Sequence, residues 1–101
     1  MVTGHITITN PYGLHLRPAG FLCRLALEYE SAVSMRKGTT VVNAKSVLGV
    51  LGACVRCGDE VEFICEGRDE WEALNGIMEA GKRGFGDGRP DPDGSGGSQA
   101  G

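Results

Sequence analysis

The residues best suited to chemistry are a histidine and an arginine two positions apart, His15 and Arg17, in the segment Gly13-Leu14-His15-Leu16-Arg17-Pro18-Ala19. The apolar spacing that follows predicts a helix beginning at Leu16, so the backbone N–H groups of Leu16 and Arg17 lack intrahelical partners. An anion placed there gains from these donors and from the positive end of the helix macrodipole. The guanidinium of Arg17 can add forked hydrogen bonds to the same anion.

A histidine beside such an anion site is suited to act as a nucleophile towards phosphorus. The imidazole of histidine ordinarily titrates at about pH 6.5, so at neutral pH most of it is uncharged and a ring nitrogen is available. A His next to an Arg at a helix start is by itself more often a cap or a surface residue. With Gly13, Pro18 and Ala19 at their fixed offsets, the segment instead predicts a site that accepts a phosphoryl group, holds it and releases it.

Alternating strand and helix patterns predict the elements that position this segment. Strand patterns cover residues 2–9, 32–36, 39–43 and 60–66. Helix patterns cover residues 16–29, a short stretch capped by Ser46, and a last stretch that ends near Gly84. The last helix starts at an Asp69-x-x-Glu72 capping box and has Trp71, Leu74 and Met78 beneath it. The order βαββαβα, with a polar face on every strand, predicts an α+β fold. We expect a two-layer open-faced sandwich, in which a four-stranded antiparallel sheet carries three helices on one face.

Composition limits the classes of protein that the chain can represent. Its 101 residues and net charge of −3 predict one small domain and argue against nucleic acid as a partner. No apolar run approaches the ~20 residues of a membrane span, and the N-terminal residues do not resemble a secretory signal, so we expect a cytoplasmic protein. Residues 84–101 contain seven glycines and one large apolar residue. We therefore predict a domain at 1–85 and a flexible Gly/Pro/Asp-rich tail at 86–101.

The segment from Gly13 to Ala19 resembles the active-site signature of the HPr family, the histidine-containing phosphocarriers of the bacterial phosphoenolpyruvate-dependent sugar phosphotransferase system. The resemblance extends over about residues 1–85 in length, element order and spacing. It implies that enzyme I phosphorylates His15 through Nδ1, that Arg17 is the electrostatic partner, and that IIA proteins receive the group. It also implies a monomeric carrier that is not an enzyme and needs no metal or organic cofactor.

A second segment, Asn43 to Leu51, is similar to the family segment that carries a regulatory serine. By itself Ser46 is an ordinary N-cap of a short helix, whereas the resemblance implies its phosphorylation by a serine kinase/phosphorylase. A phosphate at this helix end would leave the fold intact and repel an acidic partner surface. The resemblance further implies partner docking by an exposed set: Gly20, Arg24, Val47, Leu48 and Leu51. That Leu48 or Leu51 fills core volume instead stays open.

Several positions depart from the family pattern. Tyr12 stands where a small polar residue is usual, so the hydrogen bond that helps to orient the imidazole is either missing or replaced. Gly20 falls early in a helix, which costs about 0.5–1 kcal/mol relative to alanine. Leu27 and Gly49 stand where many members have lysines, which bears on the identity of the partners. The nearest alternative function is therefore an HPr-like regulatory or nitrogen-related phosphorelay that is not coupled to sugar uptake.

A cysteine-based metal or redox module is the alternative from another class. Cys54 and Cys57 form a C-x-x-C, but a structural zinc site needs a second close pair of ligands. Cys23 and Cys65 are far apart in the sequence and lie on or near apolar faces, where cysteine behaves as a small hydrophobic residue. Reduced thiols are expected in a cytoplasmic protein, so this alternative is the weaker one.

Overall fold

The computed structural model of the chain describes residues 1–86, and it has the predicted element order. The elements are β1 (Val2–Thr7), α1 (Leu16–Ala26), β2 (Ala32–Lys37), β3 (Thr40–Asn43), α2 (Val47–Gly52), β4 (Glu60–Glu66) and α3 (Glu70–Lys82). α1 ends earlier than predicted because the N–H groups of Glu28 and Tyr29 bond to carbonyls three residues back, which tightens the last turn. Apart from Gly86, the predicted tail at 86–101 lies outside the described residues.

The four strands form one antiparallel sheet in the order β1-β4-β2-β3. β4 alternates between an inward apolar face, formed by the buried Val61, Phe63 and Cys65, and an outward face. α3 packs against β1 and β4, and α1 packs against α2 and α3, so the described helices cover one face of the sheet. The predicted α+β open-faced sandwich is confirmed.

The start of α3 differs from the prediction, because the capping box at Asp69 and Glu72 does not form. Asp69 occupies the N-cap, but its side chain makes no capping hydrogen bond. Its carboxylate instead accepts hydrogen bonds from the hydroxyl of Ser31 at 2.5 Å and from the N–H groups of Glu30 and Ser31 at 2.9 Å each. These bonds, led by the one from the Ser31 hydroxyl, hold the pKa of Asp69 below its usual range. Asp69 therefore fastens the loop before β2 to the start of α3.

The buried stripe of α3 differs from the prediction at Trp71. The helix buries Ala73, Leu74 and Ile77, and Met78 is partly buried against the core. Trp71 was expected beneath the helix but is 62% exposed, because it falls in the first turn at the margin of this stripe.

The C-terminal end of the described chain completes the core. Phe85 is fully buried, and its ring meets that of Phe63 edge-on with centroids 6.0 Å apart. Phe85 adopts a φ of 53°, between Gly84 and Gly86, whose φ angles are also positive. This backbone conformation costs a non-glycine residue about 1–2 kcal/mol. Burial of a Phe side chain contributes about 1.5–3 kcal/mol, so packing outweighs the local strain.

Replacement of Phe85 by alanine measures how much this C-terminal turn contributes to the core. We expect Phe85→Ala to lower the free energy of unfolding by about 3–5 kcal/mol, as is typical for a buried Phe. Trp71→Ala is the matched control, because it removes an aromatic ring of which 62% is exposed. The control should change the free energy of unfolding by less than about 0.5 kcal/mol. Urea unfolding followed by circular dichroism gives both values, and equal losses would contradict the placement of Phe85.

Candidate functional site

The segment that contains His15 is anchored by one set of residues and exposed through another. The anchoring residues are buried: Gly13, Leu14, Pro18 and Ala19. His15 is half-buried, and Leu16 and Arg17 are exposed. The spacing that singled out the segment thus separates residues that hold the backbone from residues that face solvent.

His15 occupies the N-cap of α1, as the sequence predicts. Its backbone is extended, with φ −80° and ψ −167°, and its carbonyl accepts the first helical hydrogen bond from the N–H of Ala19 at 3.0 Å. The imidazole makes no capping hydrogen bond, so the simpler interpretation of His15 as a helix cap does not hold. The first turn of α1 contains no acidic residue. The positive end of the helix dipole, equivalent to about half a unit charge, is therefore not offset from within that turn.

A tight turn before α1 sets the position of His15. The N–H of Gly13 donates to the carbonyl of Asn10 at 2.9 Å, with Pro11 at the second position of the turn, where its restricted φ is favourable. Gly13 has a φ of 68°, and a Cβ at this position would collide with the carbonyl oxygen of Val55. The turn therefore requires glycine both for its backbone angle and for its close packing.

Two segments distant in the sequence hold this turn, and sequence reasoning did not identify either of them as part of the site. The carbonyl of Val55 accepts a hydrogen bond from the N–H of Leu14 at 3.0 Å. The buried Asn10 side chain donates through Nδ2 to the carbonyl of Gly84 at 3.0 Å. Both acceptors are backbone atoms, which any residue type supplies, so the local sequence carries no signal for them.

Tyr12 lies directly beside His15. The two rings are edge-on, with centroids 6.1 Å apart and planes at 87°, and the Tyr12 residue is 84% exposed. An aromatic ring therefore contacts the imidazole from the position where the family usually has a small polar residue.

Ser46 caps α2, as predicted. Its Oγ accepts a hydrogen bond from the N–H of Gly49 at 3.0 Å. The thiol of Cys23 in α1 donates to the carbonyl of Lys45 at 2.9 Å, which joins α1 to the residue immediately before the cap. The start of α2 is thus tied to the helix whose first residue follows His15.

The predicted docking residues lie on these two adjacent helices, α1 and α2. Leu48 is 81% exposed, whereas Val47 and Leu51 are half-buried and Leu51 packs against the core. It is therefore Leu51, not Leu48, that contributes core volume. The exposed Arg24 reaches back along α1, so that a Cβ on Gly20 would lie 3.4 Å from its guanidinium. Leu16, which the predicted set omits, adds a 66% exposed apolar side chain next to His15.

The cysteines are dispersed over the described chain. Cys54 and Cys57 are exposed, Cys23 and Cys65 are buried, and all four are free thiols. Burial raises the pKa of the Cys65 thiol. Within residues 1–86, no three His, Cys, Asp or Glu side chains are grouped so as to hold a metal ion.

Over the same range, no helix has the length and apolar character needed to cross a membrane.

Comparison with known proteins gives one consistent family. Residues 2–82 match the family model described as PTS HPr component phosphorylation site. The chain is 38% identical over 77 residues to phosphocarrier protein HPr of Treponema pallidum, covering 76% of this chain and 88% of the relative. It is 38% identical over 74 residues to the HPr-like protein Crh of Bacillus subtilis, covering 73% and 87%. The crystal structure of HPr-C-His from Thermoanaerobacter tengcongensis superposes with a TM-score of 0.83 at 34% identity, covering 88% of this chain and 100% of that one.

A pair of glycine substitutions tests how the turn before α1 is held. Gly38 has a φ of 61°, and a Cβ added there would have no atom within 4 Å, so Gly38→Ala should cost only the backbone strain of about 1–2 kcal/mol. Gly13→Ala adds a collision with the backbone of Val55 and should lower the free energy of unfolding by at least about 1 kcal/mol more. Urea unfolding of both variants gives the comparison. Equal destabilisation would mean that the contact with Val55 does not restrict this position.

Proposed function

The chain belongs to the family of HPr components of the phosphotransferase system, and from that premise we propose that it carries a phosphoryl group on His15. Members of this family are phosphocarriers, which pass the group on and do not convert a substrate of their own. The observation that carries the proposal is the placement of His15 at the N-cap of α1 with its imidazole not used for capping. The exposed Arg17 two residues later supplies a positive charge at the same helix end.

The chemistry of the transfer step is the one that the family implies, and the geometry of His15 suits it. Nδ1 of His15 attacks the phosphorus of a phosphohistidine on enzyme I, and the bond from phosphorus to the donor nitrogen breaks as the new one forms. Charge on the three equatorial oxygens is stabilised by the N–H groups of Leu16 and Arg17, by the helix dipole and by the Arg17 guanidinium. Little covalent work is required of the protein, so the rate depends on positioning and on charge stabilisation. Transfer to a histidine of a IIA protein repeats the step with His15 as the donor.

Regulation through Ser46 is the second part of the proposal. Its Oγ lies at the start of α2, where the N–H of Gly49 already donates to it and where negative charge is favourable. Phosphorylation by a serine kinase adds a charge of about −1.5 to −2 beside the exposed Leu48. We infer that this charge weakens docking to an acidic surface on enzyme I without unfolding the cap.

The similarity to Crh supports a second candidate function. Its identity to this chain, 38%, equals that of the Treponema pallidum phosphocarrier. An HPr-like regulator that is not coupled to sugar uptake would use the Ser46 segment in place of onward transfer to a IIA protein. The imidazole at the helix N-terminus favours the carrier as the first candidate, because a regulator that works only through Ser46 has no need of it.

Substitution of the two histidines tests the phosphorylation site. Incubation of the wild type with phosphoenolpyruvate and enzyme I of the same organism should add one acid-labile phosphoryl group, measured by intact mass. His15→Ala should abolish this addition, because the nucleophile is removed. His5→Ala is the matched control and should accept the group as the wild type does, since His5 lies on β1 and faces Glu62 at 3.8 Å. Retained acceptance by His15→Ala would rule out the assignment of His15.

Two substitutions at Ser46 separate charge from capping. Aspartate and asparagine are both good N-caps, so Ser46→Asp and Ser46→Asn should both keep the melting temperature of the wild type. Only Ser46→Asp adds charge, and it should slow transfer from enzyme I on the order of tenfold, or about 1.4 kcal/mol in the barrier. Rates come from rapid-quench phosphorylation of each variant. Equal rates for the two variants would remove charge-based regulation at Ser46.

A further inference from the structure

We propose that Tyr12 is a positioning residue for His15 and that it acts through its aromatic ring, not through its hydroxyl. The inference rests on the proposed function of His15 and identifies one contact that helps to orient its imidazole. The Tyr12 residue is 84% exposed, so the core does not immobilise its side chain. Its ring nevertheless lies edge-on to the imidazole, with centroids 6.1 Å apart and planes at 87°.

This geometry is one that aromatic pairs favour. Rings prefer edge-to-face or offset arrangements with centroids about 4.5–7 Å apart, because the positive edge of one ring meets the negative face of the other. The His15 side chain has a small number of staggered rotamers. A contact of this kind shifts the populations of such rotamers by about two- to tenfold, which is enough to favour one direction of the ring nitrogens.

The backbone beneath Tyr12 makes the contact directional. The turn is closed by the hydrogen bond from the N–H of Gly13 to the carbonyl of Asn10, at 2.9 Å. Pro11 restricts φ immediately before Tyr12, and Gly13 is packed against Val55 immediately after it. The Tyr12 backbone is thus held relative to that of His15. The phenol ring therefore presents the imidazole with a surface in a defined place.

Orientation matters because in-line attack requires Nδ1 to point at the donor phosphorus while the phosphoryl oxygens lie at the N-terminus of α1. A misoriented imidazole lowers the fraction of bound complexes that can react, but it leaves the docking surface for the partner unchanged. Loss of the Tyr12 ring should therefore lower kcat for phosphoryl acceptance and leave KM for this protein nearly unchanged. The phenol hydroxyl has no part in the ring contact, so phenylalanine should replace tyrosine.

The test compares Tyr12→Phe with Tyr12→Ala in the full-length chain. Alanine removes the ring without adding a polar group that could hydrogen-bond the imidazole. The first readout needs no phosphorylation: nuclear Overhauser contacts between ring 12 and the imidazole, and ring-current shifts of the imidazole C–H protons. Tyr12→Phe should retain both signals, and Tyr12→Ala should lose the ring-current shifts and change the His15 rotamer distribution. The second readout is acceptance from enzyme I, where Tyr12→Phe should stay within about twofold of the wild type and Tyr12→Ala should lose about three- to tenfold in kcat.

Each outcome decides the proposal. Wild-type kcat with an unchanged imidazole rotamer distribution in Tyr12→Ala overturns it. Equal losses in Tyr12→Phe and Tyr12→Ala also overturn it, because they would assign the effect to the hydroxyl. If the wild type itself accepts no phosphoryl group, the proposed function of His15 fails. The spectroscopic comparison then still decides whether the Tyr12 ring orients the imidazole.

Discussion

The close backbone contact between the turn before α1 and the loop before β4 is the constraint on which the site depends. At Ile8 the pairing of β1 with β4 gives way to bonds with that loop: the N–H of Ile8 donates to the carbonyl of Asp59, and the N–H of Gly58 donates to the carbonyl of Ile8. The N–H of Leu14 then donates to Val55, in a space that only glycine at position 13 leaves open. The chain therefore leaves the sheet, turns and enters α1 at one defined place, and His15 is the first residue after the buried Gly13 and Leu14 that is open to solvent.

The two helix starts near this contact are completed in different ways. Ser46 is the N-cap of α2, and its Oγ accepts a hydrogen bond from the N–H of Gly49. His15 is the N-cap of α1, and its side chain makes no capping hydrogen bond. Serine is among the best N-cap residues and histidine is not. The stability of α1 alone would therefore favour serine over histidine at its N-cap. A helix terminus whose donors are not taken by its own cap is suited to bind an anion, and this is the arrangement that transient phosphoryl binding requires.

The parts of the fold that could be predicted are those whose sequence pattern is local. The alternation of Val61, Phe63 and Cys65 with glutamates identifies β4, because a strand repeats its environment every two residues. Asp69 shows the limit of such rules. Its carboxylate could accept hydrogen bonds either from its own helix or from the loop at Ser31, and it accepts them from the loop. Sequence patterns indicate only the donors in its own helix. Phe85 shows the same limit, because one aromatic residue among glycines has no period, yet it is fully buried against Phe63.

The site was predictable where the chain encodes it locally and not where it depends on distant backbone. His15 at the N-cap of α1 followed from spacing, but its support from Val55 and Gly84 comes through carbonyl groups that every residue possesses. The carrier role proposed for His15 needs an imidazole that is both accessible and oriented. Full burial of the ring would fix its orientation but would block access to it. In this chain the backbone around His15 is packed tightly while the ring is only half-buried. The ring of Tyr12 lies edge-on to this half-buried imidazole, which is the contact on which the positioning role proposed for Tyr12 rests.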